Sequence, residues 1–310
     1  MPGPEAAPPG TGYAGQGRGG GRSPAPVREF LLVVGLVIGT LLVVTVVGGV
    51  LAAVLGAEPT DPESDSLFAD PLADQALGLI TLAALVPAVM LGVRWMGRRP
   101  AGTLSSVLGR VRWGWLGRCA AVAFPVMAVQ FTVLALWADG TDAFDGLSEV
   151  FPGWPRFLLS VAVLWVLVPF QAAAEEYVFR GWLVQWAGQF VRSPWPAVVV
   201  ASALFALAHG WGEASGFGLL FYSAVWWGWL VLRTGGLEAV IALHAANNML
   251  AFLLAAMADE LADQSTAADA PWQALVVEVV FSPLYCLLIA RLADRRKVDR
   301  LTPAPAASPT

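Results

Sequence analysis

Charge is the scarcest property of this sequence. Asp, Glu, Lys and Arg make up 13% of its 310 residues, against 57% hydrophobic residues. That is about half the charged share of an average soluble domain, which excludes water as the solvent for most of the chain. Cysteine is nearly missing: Cys119 and Cys286 stand far apart, each inside an apolar run, which excludes a disulfide framework and a CxxC metal or redox motif. Lysine occurs once, at Lys297, and histidine twice, at His209 and His244. There is no internal repeat, no HExxH, and no alternation of the kind a membrane barrel needs. The preference for Arg over Lys, with abundant Ala, Gly and Pro, points to a GC-rich genome, and the expected location is a bacterial plasma membrane.

Long apolar runs are what the sequence has instead. A helix crossing a bilayer takes about 20 mostly apolar residues, and eight runs approach that length, over 30 to 55, 75 to 96, 116 to 137, 157 to 185, 195 to 211, 215 to 233, 237 to 258 and 272 to 291. Backbone groups in lipid are satisfied only within helices or closed barrels. The expected fold is therefore all-α, a polytopic bundle of about eight transmembrane helices. Residues 1–26, rich in Gly, Pro and Ala, are expected to be a disordered tail; 27–297 form the membrane domain, with its functional core at about 157–258; and 298–310 form a second disordered tail. Gly35 and Gly39 form a small-xxx-small pair in the first run, a candidate seat for a neighbouring helix.

Charge alternates from loop to loop. Glu58, Asp61, Glu63, Asp65, Asp70 and Asp74 follow the first run; Arg94, Arg98, Arg99, Arg110, Arg112 and Arg118 follow the second; Asp139, Asp142, Asp145 and Glu149 follow the third. Arg192 and Arg233 continue the basic set, Asp259, Glu260, Asp263 and Asp269 the acidic one, and Arg291, Arg295, Arg296 and Lys297 close the chain; Arg156 and Glu213 interrupt the pattern. The positive-inside rule then puts both termini in the cytoplasm and the acidic loops outside.

An ionisable group at mid-bilayer costs about 2.5–3.5 kcal/mol on insertion scales, so those within the runs are read as functional. They cluster: Glu175, Glu176 and Arg180 in the fourth run, Phe205 and His209 at the end of the fifth, His244, Asn247 and Asn248 in the seventh. Residues four apart share a helix face, so Glu176 meets Arg180, Phe205 meets His209 and His244 meets Asn248. Glu175, rotated by about 100°, has no such local partner and is left to take a proton. With His209 it supplies a general base for water, while His244 and Asn248 supply donors for an oxyanion. A lone membrane histidine is as readily a packing hydrogen bond; two beside a Glu pair argue for chemistry. Straight-helix counting leaves a mismatch of depth, with Glu175 toward the cytoplasmic side of its helix and His209 at the outer end of the next; Pro169 or a longer fifth helix are the candidate remedies.

Ala174 to Arg180 fits EExxxR, Phe205 to His209 fits FxxxH and His244 to Asn248 fits HxxxN/D. In order and spacing these resemble the motifs of the CAAX prenyl protease and bacteriocin-processing (CPBP) family of intramembrane glutamic proteases. The resemblance implies that Glu175 and His209 activate water and that His244 and Asn248 stabilise the oxyanion, with Glu176, Arg180 and Phe205 shaping the site. It implies no cofactor, a membrane-associated peptide or protein as substrate, the lipid bilayer as surroundings and no nucleic acid. Two other readings stay open: a zinc enzyme with Glu175, His209 and His244 as ligands, and a non-enzymatic scaffold, immunity protein or transporter whose buried charges are structural or line a pathway. No serine or cysteine nucleophile stands beside the motifs. Peptidase activity is therefore expected to survive serine- and thiol-directed reagents, and complete inhibition of the purified protein by either would refute the water mechanism.

Overall fold

The computed structural model describes residues 6–18, 26–59, 66–97, 99–139, 147–263 and 265–304. Asp61, Glu63, Asp65, Arg98, Asp142, Asp145 and the side chain of Asp139 lie outside the described part, as do residues 1–5, 19–25 and 305–310 of the two expected tails.

The apolar runs become helices wherever the sequence supplies a start and a stop. Helix α1 (Pro26–Leu55) is followed by α2 (Pro71–Ala83) and α3 (Leu85–Trp95), nearly continuous across Ala84. The side chain of Asp70 caps α2 by accepting from the Ala73 amide at 2.8 Å, a standard N-terminal device. Next come α4 (Trp113–Asp139), the short α5 (Leu147–Val150) and α6 (Trp154–Glu176). The last runs without a break into a π-helical turn (Tyr177–Leu183) and α7 (Val184–Ala187). Then follow α8 (Trp195–Ala208), α9 (Ala214–Thr234), α10 (Glu238–Met257) and α11 (Trp272–Arg296). Gly235 ends α9 in the left-handed conformation, φ 68°, the usual glycine stop.

Among the described residues there is no strand, and seven helical segments are long and apolar enough to cross a membrane. The expected polytopic helical bundle is therefore what forms. The fifth run gives a 14-residue apolar helix, α8, about 21 Å long at 1.5 Å per residue and so short of a full bilayer.

Helix α10 is the central element. It packs on α4 and α6, with α9 and α11 closing one side and α2 the far side of α6. Half of its buried residues are alanine, which lets neighbouring backbones approach closely where lipid gives no hydrophobic drive. Helix α1 is peripheral, touching α2 and α3 and turning Leu31, Ile38, Leu42, Val46 and Val50 outward. The small-residue seats are not where the sequence suggested. A Cβ at Gly35 or Gly39 would meet nothing, whereas one at Gly48 would lie 2.5 Å from Leu77 and one at Gly92 would lie 2.4 Å from Val33.

The two ends of the bundle differ. At the acidic end Arg156, the exception in the loop pattern, pairs with Asp70 at 2.8 Å. The basic end is sealed by polar contacts. Arg99 and Glu29 form a fully buried ion pair at 2.9 Å. Arg112 grips Glu238 through Nε at 2.8 Å and a terminal nitrogen at 2.6 Å, and also donates to the carbonyls of Thr234 and Asp299, each at 3.0 Å. These arginines count toward the charge alternation, yet they are structural members of the lid.

Both expected tails need correction at this end. Residues 13–18 form a 3-10 helix with Tyr13 buried, its hydroxyl donating to the Leu104 carbonyl. Burial pushes the Tyr13 phenol well above its ordinary pKa, so it stays neutral. The Thr302 amide donates to the Thr11 carbonyl and the Gly10 amide to the Thr302 carbonyl, both at 2.9 Å, so part of the second tail is pinned to the first. Composition alone argued for disorder, but one tyrosine and a few backbone bonds in a preformed recess outweigh it. Replacing Glu29 with alanine would leave Arg99 buried without a counter-charge; the expected cost is about 3–5 kcal/mol, visible as a lower thermal midpoint in detergent, and an unchanged midpoint would contradict the buried pair.

Candidate active site

The mismatch of depth between Glu175 and His209 disappears in three dimensions. Glu175 lies about 18 Å along the helix from Ala187, and His209 about 21 Å along α8 from Trp195, at 1.5 Å per residue. Both helices meet at the 187–195 turn. The fifth helix is thus shorter than a full crossing, so its outer end falls level with the glutamates. The turn after α8 is roofed by residues 266–270: Thr266 Oγ1 donates to the His209 carbonyl at 3.0 Å and the Glu213 amide to the Ala268 carbonyl at 2.8 Å. Backbone groups at membrane depth are satisfied in this way when they line a protected cavity.

Glu176 holds the centre. Its Oε1 accepts from Arg180 at 3.0 Å and from His244 Nδ1 at 2.8 Å, and all three side chains are buried. The expected Glu176–Arg180 pair is present, with His244 joined to it. The Arg180 guanidinium lies over the Phe205 ring at 3.9 Å and the Trp227 ring at 5.2 Å, a desolvated cation–π contact. Phe205 in turn meets the His209 ring at 4.6 Å and the His244 ring at 6.0 Å. The phenylalanine of one motif therefore packs on the arginine of another and on both histidines.

His209 caps α8, and its Nδ1 lies 2.9 Å from the Phe205 carbonyl. A carbonyl only accepts, so Nδ1 is the donor in this bond and Nε2 takes no part in it. The four-residue spacing of FxxxH is what this bond requires. For His244 the acceptor at Nδ1 is the Glu176 carboxylate, and Nε2 faces Glu175 Oε2 at 3.6 Å, too long for a hydrogen bond.

Glu175 is not without a local partner, contrary to the helical-face argument. Gln171, one turn earlier, donates from Nε2 to Glu175 Oε1 at 2.5 Å, and its carbonyl accepts from Asn248 Nδ2 at 3.0 Å. Gln171 thus bridges the acid of one motif and the amide of another. Oε2 of Glu175 is buried with no hydrogen-bond partner among the described residues. Asn247 Nδ2 donates to Asn248 Oδ1 at 3.1 Å, which fixes the orientation of the second amide.

Beside this cluster lies a cavity of about 60 Å³, lined by His209, Trp227, His244, Asn247, Asn248, Glu278 and Ser282 among others. A water needs about 10–15 Å³ by this measure, so the cavity has room for several. Glu175 is not in the cavity wall; it flanks His244 from the other side. The far wall carries residues the sequence reading missed. Glu278 on α11 accepts from Gln130 Nε2 at 2.8 Å, and Ser282 lies one turn on. The rule that singled out Glu175, an ionisable group inside an apolar helix, applies equally to Glu278. The signal for Gln171 was its place four residues before Glu175. Among the described residues no group of three or more His, Cys, Asp or Glu side chains is placed to hold a metal ion.

Residues 154–250 match the family model described as Type II CAAX prenyl endopeptidase Rce1-like. The segment contains all three motifs and bears out the resemblance read from them. The chain is also 27% identical over 229 residues to the uncharacterized protein YyaK of Bacillus subtilis (strain 168), covering 71% of this chain and 74% of that one. No solved structure matches. Glu176→Gln removes the charge that Arg180 and His244 share; the expected result is a loss of about 3 kcal/mol or more in stability, read as a lower unfolding midpoint in detergent, and a wild-type midpoint would mean that Glu176 is not the structural centre of the site.

Proposed function

We propose that the chain is an endopeptidase of the membrane interior, of CAAX type, which hydrolyses a peptide bond of a membrane-associated substrate with activated water and no covalent intermediate. The observation that carries this reading is the convergence of three motifs on one buried charge cluster beside a cavity large enough for water. In this reading Glu175 Oε2 and His209 Nε2 are the acceptors for the water proton; Glu175 Oε1 and His209 Nδ1 are engaged by Gln171 and the Phe205 carbonyl, and the other atom of each pair makes no hydrogen bond among the described residues. Asn248 keeps one amide hydrogen beyond the one given to Gln171, and His244, whose Nδ1 hydrogen goes to Glu176, offers Nε2 as a donor in its doubly protonated form. These are the groups available to a developing oxyanion. Glu176, Arg180 and Phe205 hold the cluster and do not touch the substrate.

The same reading puts both termini in the cytoplasm. Arg110, Arg118, Arg233 and Arg295 gather at one end of the bundle and Glu58, Asp70, Asp259 and Asp263 at the other, which supports the positive-inside assignment. The substrate class suggested by the family description is a prenylated or otherwise membrane-anchored peptide.

Comparing membrane peptides by mass spectrometry between cells carrying wild type and variants tests the proposal. Glu175→Gln and His209→Ala are expected to lose roughly 10²- to 10⁴-fold in turnover, and Asn248→Ala roughly 10²- to 10³-fold, each with normal membrane insertion. Peptide profiles identical to wild type in Glu175→Gln would sink the protease reading.

A further inference from the structure

Four glutamates are buried among the described residues: Glu29, Glu176, Glu238 and Glu278. Three of them are matched by arginine, Glu29 by Arg99, Glu176 by Arg180 and Glu238 by Arg112. Glu278 has no ion pair among the described residues. The partner it does have is neutral: Gln130 on α4 donates to it from Nε2 at 2.8 Å. An unmatched carboxylate inside a membrane protein is costly, and an ionisable group placed there is read as functional by default. The uncharged acid avoids that cost, and it carries a hydrogen to give.

Its position says where that hydrogen is useful. Glu278 and Ser282, on α11, line the cavity of about 60 Å³ that His209, His244 and Asn248 line from the end of α8 and from α10. Glu278 is the carboxyl of that wall, since Glu175 stands outside it. Helix α11 also lies beyond residues 154–250, so the family likeness gives this carboxyl no role.

Hydrolysis of a peptide bond needs two proton movements, one off the attacking water and one onto the departing nitrogen, which is too basic to leave as an anion. Glu175 and His209 serve the first. We propose that Glu278 is a further catalytic residue and serves the second, giving its proton to the leaving amine. The proposal rests on the protease reading and adds the acid that reading lacks. As the tetrahedral adduct collapses, the C–N bond breaks, its electron pair goes to nitrogen, and nitrogen takes the Glu278 hydrogen. The carboxylate left behind regains a proton, through cavity water, from the one that Glu175 or His209 took from the nucleophile. One water is consumed, and the products are a carboxylic acid and an amine. Gln130 is a positioning residue: by holding the carboxyl from α4 it fixes the direction in which the acid points.

The test compares two bonds in one peptide. The segment cut in the membrane-peptide comparison is synthesised with its scissile amide and again with a thioester at the same position, whose thiolate departs without a proton, and both are assayed with the full chain in detergent. Glu278→Gln is expected to lose roughly 10²- to 10⁴-fold on the amide and to stay within about threefold of wild type on the thioester. Glu175→Gln is expected to lose both, because water must be activated for either bond. Glu278→Gln keeps the size of the side chain, and Gln130 has a carbonyl, Oε1, buried without a partner among the described residues, to turn toward the new amide, so a folded variant is expected. Gln130→Leu is expected to lose about tenfold on the amide alone, and it carries the comparison by itself should Glu278→Gln unfold. Equal losses on amide and thioester, or wild-type cleavage of the amide, would overturn the proton donor while an inactive Glu175→Gln keeps the protease reading standing. Full amide cleavage by Glu175→Gln would remove the protease reading itself.

Discussion

One carboxylate oxygen sets the geometry of the whole functional core. Oε1 of Glu176 accepts from Arg180 and from His244 at the same time, so a residue on α6, one on its π-helical turn and one on α10 are locked at a single point. Burying two or three charges together is costly unless they are paired; several elements of the core contribute to that pairing, while Glu176 Oε2 and one terminal nitrogen of Arg180 have no hydrogen-bond partner among the described residues. Phe205 and Trp227 cover the arginine where water would otherwise stand. The alanines of α10 bring its backbone close enough for His244 to reach across. The widened turn from Tyr177 to Leu183 accommodates the large buried side chains of Arg180 and Trp182 within one continuous helix, in keeping with the tendency of such turns to mark functional positions.

This arrangement explains why so much of the site was legible in the sequence. Membrane helices make ionisable residues conspicuous, because each carries an insertion cost, and helical spacing assigns them to faces. Glu176–Arg180 and Phe205–His209 followed from that arithmetic alone. What the arithmetic does not give is the relation between helices. That His244 would donate to Glu176 rather than stand free, that Phe205 would sit on Arg180, and that Gln171 would occupy Glu175 all depend on how α6, α8 and α10 pack. Glu278 was a different kind of omission: its signal was in the sequence, isolated in the apolar stretch of its helix and far from the motifs, and only the folded bundle brings it to the cavity wall.

The fold itself was legible in the same uneven way. Hydropathy finds helices reliably because lipid leaves the backbone few alternatives, and the boundaries read from it agree closely with those observed for α1, α4, α9 and α10. It also treated Arg99 and Arg112 as loop charges when the first is buried and the second half-buried in ion-pair clasps, and residues 6–18 as a disordered tail when they close the basic end. In each case the deciding partner, Glu29, Glu238 or the Leu104 carbonyl, lies far away in the sequence, and composition carries no information about it.

The short α8 has a consequence for the surrounding lipid. Its exposed flank of Val199, Val200, Leu204 and Leu207 offers an apolar height of about 21 Å, against a hydrocarbon layer of about 30 Å. Acyl chains beside this one helix must therefore tilt or compress, while those around α1 and α4 need not. The protein sits in a lopsided collar of lipid, puckered inward on the flank nearest His209, and its fit to a membrane varies with that membrane's thickness on this side more than on any other.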